Sequence, residues 1–524
     1  MGVTMYPLLQ AAISLLLVGV YFFSRQTGKS IPDLPGPKSS SWLYGNLVEL
    51  LLAPVYGQYE FAWLKQFGSV YRIRACFGRT QIVLGDPVAM HHVFNSPNYD
   101  HALPLATYMR MVFGMDSVES VRAAGPQHRH LRTALNGVFT ASVVQSYEAI
   151  FERVAEGISE QIDSSPTKIL DFAEILSAAT LSAISLGFFK DTCRSVEELD
   201  PEFVELNTHL LRTAARSSKG DLLSSDFTSN YLPRRLVDWL LSFRVGTMDA
   251  VNRGRDLGLA LGRTLVEDKL RAQASSENQV TDDVYDLLLW GKAGTATKKL
   301  STEELIAQTS ILLVAGQDTT ANTLVFCLIA LARDPSLQDK LRAEILARLP
   351  GQPYNQLPLL NAVIKEALRM FPAEPLTDRL AYADDVIPLS EPILDRHGRK
   401  IDSIHVRKGQ VVTMAIASYQ RVASRWGQDA MEFNPMRWLE GGSVQTSDII
   451  GPYANLMSFI SGARTCVGWR FAVMEMQIIL CELVSKFKFT IPPGKETVVR
   501  VAQTLIPIND KTGEKCAMLQ VESI

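Results

Sequence analysis

One cysteine, Cys466, stands in a segment where residue types and spacing predict chemistry. Its neighbours follow the pattern FxxGxRxCxG, formed by Phe459, Gly462, Arg464 and Gly468. Glycines let the backbone turn and approach a flat ligand closely. A helix predicted to begin at the cysteine would point free N–H groups and its positive dipole end at the sulfur and favour the thiolate. The segment therefore predicts a thiolate loop that binds haem iron, with Arg464 paired to a propionate.

The alternative is a buried structural thiol, since free cysteine is among the residue types most often buried. Five specified positions, each with a physical role, favour the haem site. The segment resembles the signature of the cytochrome P450 family of haem-thiolate monooxygenases. The resemblance implies that Cys466 is the iron ligand of haem b (iron protoporphyrin IX) and that Phe459, Gly462, Arg464 and Gly468 contact this cofactor.

A long apolar helix is predicted from Ser301 to Arg333, because Ser301 and Glu304 form a capping-box pattern and Asp334-Pro335 ends it. Its middle, AGQDTT, is similar to the family's central-helix motif. The resemblance implies that Asp318 and Thr319 deliver the protons that oxygen activation requires. The alternative is that these side chains only satisfy each other or a backbone carbonyl.

Three further residues resemble the family's Glu-Arg-Arg cluster. Glu366 and Arg369 lie three apart on one predicted helix face and can form an ion pair. Arg437 follows in the segment FNPMRW. Isolated pairs of this kind are usually solvated, but the resemblance implies a structural cluster that locks the loop leading to the cysteine.

Two haem propionates need cations or hydrogen-bond donors inside a protein. The segment His128–Arg132 resembles the family's WRxxR helix, with Arg132 in the matching basic position and His128 where tryptophan is usual. Arg379 matches a basic residue that often follows the Glu/Arg helix. These three residues are therefore candidate haem contacts, and the alternative for each arginine is a solvated surface charge.

Composition is that of a globular protein with a large core. The 524 residues are 47% hydrophobic and 20% charged, and the net charge of −3 gives no basic signature for nucleic acid. The cysteines show no paired spacing and no glycosylation sequon occurs; they stand at positions 76, 193, 327, 466, 481 and 516. A catalytic domain in a reducing compartment is the natural inference.

The N-terminus predicts a membrane anchor. Residues 6–23 carry no charge and precede Arg25 and Lys29. As a helix this stretch is about 27 Å long, close to the thickness of a bilayer core. A cleaved signal peptide is the alternative, but a basic n-region and a small-residue cleavage site are missing. We expect a single-pass anchor over residues 1–30 in the endoplasmic reticulum membrane, with the catalytic domain (31–524) on the cytosolic side after a proline-rich hinge at 31–38.

The predicted fold is mainly α with a smaller β part, and the resemblance implies the cytochrome P450 fold. Apolar periodicity predicts helices over 141–162, 251–274 and 337–349. A hairpin is predicted over 70–77 and 80–84, and a strand over 411–416. The polar stretches 217–221 and 275–283 are predicted to be surface loops.

The resemblance implies a monooxygenase that inserts one atom of O2 into a lipophilic substrate by hydroxylation or epoxidation. NADPH would supply electrons through a separate NADPH–cytochrome P450 reductase, since no segment remains for a flavin or nicotinamide domain; cytochrome b5 is a further candidate donor. By family position the substrate pocket involves residues 101–116, 200–243, 312–315, 373–376 and 502–505.

The chain's similarity to fungal members suggests secondary metabolism or xenobiotic oxidation. Two alternatives stay open: a reductase-independent peroxygenase or isomerase, and a non-catalytic haem-binding sensor. Both are disfavoured because they have little use for the Asp318 and Thr319 pair.

Overall fold

The computed structural model describes residues 33–188, 200–214, 218–241, 247–274, 283–291, 298–439, 450–502 and 504–524. The predicted anchor at residues 1–30 lies outside them. The described residues form two compact units. Unit 1 takes its residues from Met1–Thr107, Ser217–Leu241 and Leu376–Tyr419, and unit 2 takes its residues from Tyr108–Arg216, Ser242–Pro375 and Gln420–Ile524.

Helices account for most of the described chain, as the apolar periodicity of the sequence predicted. In chain order they are α1 (Leu47–Leu51), α2 (Glu60–Phe67), α3 (Pro87–Asn95), α4 (Leu103–Phe113), α5 (Pro126–Val138), α6 (Ala141–Gln145), α7 (Glu148–Ser164), α8 (Phe172–Phe188), α9 (Pro201–Ala214), α10 (Lys219–Tyr231), α11 (Arg234–Leu241), α12 (Thr247–Ala274), α13 (Val284–Trp290), α14 (Thr302–Arg333), α15 (Pro335–Leu346), α16 (Pro358–Met370), α17 (Ile416–Tyr419), α18 (Ala423–Trp426) and α19 (Trp469–Lys486).

The strands are shorter and form four small sheets. They are β1 (Val70–Arg74), β2 (Thr80–Leu84), β3 (Tyr99–His101), β4 (Ile169–Asp171), β5 (Leu376–Ala381), β6 (Asp385–Leu394), β7 (Lys400–Val406), β8 (Val411–Ala415), β9 (Phe487–Thr490), β10 (Thr497–Ala502), β11 (Thr504–Asn509) and β12 (Met518–Ser523). The prediction of a mainly helical chain with a smaller β part is confirmed.

Unit 1 is organised around a five-stranded sheet in the order β1-β2-β8-β5-β3, and β6 and β7 pair separately. The predicted hairpin is confirmed, with Val70 opposite Leu84 and Arg74 opposite Thr80. Its first strand ends earlier than predicted, because a 3₁₀ turn begins at Cys76 and Phe77 takes a positive φ of 57°. The predicted strand 411–416 is confirmed as β8, which pairs with both β2 and β5.

The described part of the proline-rich hinge packs against unit 1. Leu34 is fully buried, and the Arg72 N–H of β1 donates to the Pro35 carbonyl at 2.9 Å. A Cβ added to Gly36 would lie 2.0 Å from the Arg72 carbonyl oxygen, so only glycine permits this close approach. From Leu34 onward this segment packs on the body of unit 1, and its role as a hinge after the anchor stays a prediction.

The central helix of unit 2 is α14, and its predicted limits are confirmed. Ser301 and Glu304 form the capping box, and Asp334 caps the next helix, α15, with Pro335 at its first position. Among the described residues it is the one helix long and apolar enough to cross a membrane. Most of it is buried within unit 2, so it is a core helix, as an element that is apolar on all sides must be in a folded domain.

Two local predictions of secondary structure are wrong in part. The helix predicted over 141–162 is two helices, α6 and α7, since the chain turns at Ser146 and Tyr147. The stretch 217–221 was predicted to be a loop, but Ser218 and Asp221 form a capping box that begins α10. Serine and aspartate favour turns and helix N-termini alike, and the residues that follow decide between them. The predicted loop at 275–283 lies outside the described residues except for Asp283, which caps α13.

Candidate active site

The cysteine loop (459–468) turns through two residues with left-handed backbone conformation. Ile460 has a φ of 56° and Gly462 a φ of 71°. Glycine enters this region without steric cost, whereas a branched residue such as isoleucine pays about 1–3 kcal/mol and needs surrounding structure to hold it there. The Cys466 N–H donates to the Phe459 carbonyl at 2.9 Å. The loop is thereby closed on itself around the cysteine.

The helix after the loop starts later than predicted. It begins at Trp469, with Gly468 as N-cap, so Cys466 lies before its first turn instead of opening it. The Gly468 N–H still acts on the sulfur and lowers the pKa of the thiol. The helix end therefore contributes to thiolate stability through one backbone donor, which is a weaker effect than the sequence predicted.

Cys466 combines an accessible side chain with close protein surroundings. Its side chain is accessible, although protein atoms surround it closely enough that burial raises the pKa of the thiol to about 11. The Gly468 N–H and the charge of Arg132 lower this pKa but do not outweigh burial. Burial by itself therefore favours the neutral thiol, and a bound iron would favour the thiolate.

Aromatic rings cover the side of the loop that carries Phe459. Phe459 is buried, with its ring centroid 6.2 Å from that of Tyr453 and 6.5 Å from that of Trp469. Arg470 stacks on Trp469, with its guanidinium carbon 4.1 Å from the ring centroid. Phe459 therefore packs in a cluster of three aromatic rings beside the cysteine loop.

Two of the predicted propionate cations lie near the cysteine. Arg464 is buried and donates to the carbonyls of Val118 and Val121, both at 2.7 Å, and it lies 3.6 Å from the Glu119 carboxylate. Arg132 is half-buried, and burial lowers its pKa, while Glu119 and Cys466 counteract that shift. A cation whose charged form is disfavoured by burial gains from any anion placed beside it.

The structure places the other two candidates differently. His128 is buried on α5, the helix that also carries Arg132. Arg379 lies in unit 1 on β5, where its guanidinium donates to the Thr377 hydroxyl at 2.8 Å and packs over the Phe94 ring at 5.2 Å. The contacts of Arg379 in unit 1 are those of a buried sheet residue, and its role toward a propionate stays a prediction.

On the central helix, an accessible patch interrupts the buried surface. Ala315 is exposed and Thr319 is half-buried, while the residues on either side of them are mostly buried. The Thr319 hydroxyl donates to the Ala315 carbonyl at 2.9 Å, which is the local bond that the alternative interpretation expected. Gly316 lets the central helix pack closely against α8, because an added Cβ would lie 2.0 Å from Ile184 Cδ1.

Asp318 points to a different neighbourhood from Thr319. Its carboxylate accepts from the Ser177 hydroxyl and from the Lys515 ammonium, each at 2.7 Å. Both Asp318 and Lys515 are largely buried. The structure therefore does not join Asp318 and Thr319 by a hydrogen bond. Sequence reasoning missed Ser177 and Lys515, since they lie 141 and 197 residues from Asp318 and match no motif.

The predicted Glu-Arg-Arg residues form one fully buried cluster in unit 2. The Arg369 guanidinium binds both oxygens of Glu366 at 2.8 Å, and Arg437 Nε donates to the same carboxylate at 3.0 Å. Trp438 Nε1 and the Asn434 N–H also donate to it, at 2.9 and 2.8 Å. With two cations and two neutral donors, the buried carboxylate is satisfied, as a buried charge must be.

A glutamine extends this cluster to the cysteine loop. The Gln420 side-chain amide donates to the carbonyls of Leu368 and Arg369 at 3.1 and 2.8 Å. Its oxygen accepts from the Met457 N–H at 2.9 Å, and the Ser458 hydroxyl donates to the Leu368 carbonyl at 2.6 Å. The residues directly before Phe459 are therefore attached to the end of α16, which carries Glu366 and Arg369.

Two of the predicted pocket segments meet beside the central helix. The Leu505 N–H donates to the Ala373 carbonyl at 2.9 Å, and the Asn322 side-chain amide of α14 donates to the Leu505 carbonyl at 3.1 Å. The segments 373–376 and 502–505 were predicted to border one cavity together with 312–315. Ala373 and Leu505 therefore meet near Asn322 of the central helix, and the shared substrate cavity stays a prediction.

The cytochrome P450 family model matches residues 35–514 of the chain. The chain belongs to the cytochrome P450 family of monooxygenases. It is 32% identical over 487 residues to cytochrome P450 monooxygenase 205 of Postia placenta, covering 89% of this chain and 88% of that protein. It is 26% identical over 510 residues to cytochrome P450 monooxygenase claP of Ampulloclitocybe clavipes, covering 93% of each. The predicted family and its fungal resemblance are confirmed.

The residues of this P450 fit the haem that the family implies. Cys466 is accessible, and the central helix presents Ala315 and Thr319 in the same unit. Arg132 and Arg464 supply cations within electrostatic reach of the cysteine and of each other. A thiol, an apolar helix face and paired arginines form the donor set that iron, a flat macrocycle and its propionates require.

We predict that Glu366→Ala destabilises the protein by about 3–5 kcal/mol, because it leaves the buried Arg369 without a carboxylate, whereas Arg437 keeps Asp429 at 2.9 Å. Thermal unfolding and haem retention measure this effect. Glu267→Ala, which removes an exposed carboxylate paired with Arg271 at 2.9 Å, is the control and should change stability by less than about 1 kcal/mol. Equal unfolding midpoints for the two variants would contradict a stabilising role for the cluster.

Proposed function

We propose that the protein inserts one oxygen atom of O2 into a lipophilic organic substrate, with electrons that pass from NADPH through a separate reductase. The observation that carries this proposal is the accessible Cys466 in a unit that also presents Thr319 on the central helix. Haem b with a thiolate ligand supplies the oxygen-activating chemistry when it is bound.

The chain's own residues have separable tasks. Cys466 would hold the iron as a thiolate, and the rings of Phe459, Tyr453 and Trp469 would keep water from the sulfur side. Arg132 and Arg464 hold the propionates. The Thr319 hydroxyl can donate a proton where the central helix is accessible, whereas Asp318 holds Lys515 and Ser177 on another side of the same helix.

The apolar character of the segments at 312–315 and at Leu505 supports a lipophilic substrate. Secondary metabolites and xenobiotics are the substrate classes that we propose on the likeness to fungal members. We also propose that residues 1–30 anchor the protein in the endoplasmic reticulum membrane, so that it meets both such substrates and a membrane-bound reductase. Cytochrome b5 is a proposed second electron donor.

The first experiment is the carbon monoxide difference spectrum of the reduced protein. We expect the red-shifted Soret band that a thiolate trans to CO produces, and we expect Cys466→Ala to lose it. Cys481→Ala removes a buried thiol from α19, the helix that follows Cys466, and should keep the band. A well-folded wild-type protein with the spectrum of a histidine- or thiol-ligated haem would overturn the proposed function.

We predict that Thr319→Ala keeps haem but diverts electrons to hydrogen peroxide, because a proton donor is lost from the accessible face. Product formation should fall by about 10²-fold, the lower end of what general acid catalysis contributes. Thr323→Ala is the matched control, since its hydroxyl donates in the same way to the Thr319 carbonyl at 2.8 Å but the residue is buried. Unchanged coupling of NADPH to product in Thr319→Ala would remove this residue from proton delivery.

We predict that deletion of residues 1–30 moves most of the protein from the microsomal pellet to the supernatant. The deletion ends before Leu34, so the packing of that residue is preserved. Replacing Arg25 and Lys29 with glutamine retains the uncharged run and should leave the protein in the pellet. Complete retention of the deletion variant would show that the catalytic domain binds membrane by itself.

A further inference from the structure

A buried glutamine on the central helix, Gln308, bonds the backbone of the segment between α4 and α5. Gln308 is fully buried on α14. Its side-chain oxygen accepts from the Val118 N–H at 2.7 Å, and its amide nitrogen donates to the Asp116 carbonyl at 3.0 Å. The same nitrogen donates to the Glu304 carbonyl, one turn earlier on α14, at 3.1 Å. We name residues 116–121 the Val118 loop.

The amide of Gln308 is fully used by these bonds. A side-chain amide has one oxygen acceptor and two N–H donors, and each of the three has a backbone partner here. Buried irregular backbone needs partners for its polar groups, and Val118 is buried. Gln308 therefore supplies the Val118 loop with an acceptor and a donor that an apolar side chain could not replace.

The Val118 loop also bonds the cysteine loop. The Val118 carbonyl accepts from the Arg464 guanidinium at 2.7 Å, and the Val121 carbonyl accepts from a second guanidinium nitrogen at the same distance. The N–H groups of Ser120 and Val121 both donate to the Ser117 carbonyl, at 3.0 and 3.2 Å. A turn of this kind brings carbonyls three residues apart to one face, where a single arginine can bind both.

One residue, Val118, thus stands between the central helix and Arg464. Its N–H bonds Gln308 and its carbonyl bonds Arg464. These partners lie 190 and 346 residues from Val118 in the sequence, so no motif spacing predicts the connection. Arg464 is therefore held by a loop whose own backbone is held by Gln308.

We propose that Gln308 is a positioning residue for haem, which acts through the Val118 loop on Arg464. The inference rests on the proposed function, in which Arg464 holds a propionate. A guanidinium that is already ordered by two carbonyls loses less freedom when it binds an anion, and preorganisation of this kind strengthens binding. A glutamine that only stabilises the fold would change the unfolding temperature and leave haem release and the reduction potential as they are.

Gln308→Met tests the proposal, because methionine has a similar length and helix propensity but no amide. Gln338→Met is the matched control. Gln338 is a buried glutamine of α15, also in unit 2. Its oxygen accepts from the Phe489 N–H at 2.8 Å, and its nitrogen donates to the carbonyls of Phe489 and Leu331, each at 3.1 Å. The control therefore loses the same kinds of bonds to a different segment.

Hydrogen exchange of the purified holoprotein measures the loop directly. We expect the amides of the Val118 loop to exchange about tenfold faster in Gln308→Met, the scale of one lost buried hydrogen bond. Gln338→Met should instead accelerate exchange in β9, which contains Phe489. Wild-type exchange of the Val118 loop in Gln308→Met would overturn the proposal.

Haem release tests the connection to Arg464 without any turnover. We expect haem to pass from Gln308→Met to excess apomyoglobin about tenfold faster than from the wild type, the lower end of what outer partners of a metal site contribute. The reduction potential should move to more negative values, because a cation held less firmly beside the propionates stabilises the reduced haem less. Wild-type release and potential in Gln308→Met would overturn the positioning role.

The control separates positioning from general stability. Gln338→Met should keep the wild-type haem release and potential even where its unfolding temperature falls as far as that of Gln308→Met. Equal changes in both variants would overturn the positioning role. If Gln308→Met does not fold, Gln308→Asn decides by the same measurements, since its amide is one methylene further from the loop. A wild-type protein with the thiolate CO band but no NADPH-dependent product would refute the proposed function and leave the role of Gln308 toward haem in place.

Discussion

The buried charge cluster of Glu366, Arg369 and Arg437 is the interaction on which the cysteine site depends. Two guanidinium groups and one carboxylate without solvent contact are favourable only while all three remain in place. Arg369 also donates to the carbonyls of Gln420 and Ala430, at 2.7 and 2.6 Å. Arg369 therefore holds the backbone at Gln420 and Ala430 as well as the Glu366 carboxylate. Because separating the buried charges is costly, that backbone is rigid.

Hydrogen bonds connect this rigid cluster to the loop that carries Cys466. Gln420 accepts from the Met457 N–H, and Ser458 donates back to the Leu368 carbonyl. The strained turn at Ile460 follows immediately. A backbone in an unfavourable conformation persists only where its surroundings hold both ends, and here one end is tied to α16 while the Cys466 N–H closes the other at the Phe459 carbonyl. The geometry of the ligand loop is thus a consequence of a charge cluster elsewhere in unit 2.

Sequence reasoning succeeded where the determining contacts are local or fall within a motif. The two residues of the capping box, Ser301 and Glu304, lie three apart in the sequence, and the hairpin of β1 and β2 spans fifteen residues. It failed where a partner comes from a distant part of the chain. Lys515 pairs with Asp318 because the turn between β11 and β12 carries it there, and no spacing rule connects those positions. The late start of the cysteine helix was missed for a related reason, since a loop that must close on Phe459 uses the residues that periodicity would assign to a helix.

Asp318 and Thr319 show why adjacent residues in a motif need not act as one unit. Neighbouring side chains on an α-helix point about 100° apart, so Asp318 reaches Ser177 and Lys515 while Thr319 lies on the accessible face near Ala315. Moving the carboxylate toward Thr319 would leave the buried Lys515 ammonium unpaired, which is costly. Water that enters the accessible face meets the Thr319 hydroxyl without that cost. Under the proposed function a proton would therefore reach Thr319 without passing through Asp318, which holds a different side of the central helix in position.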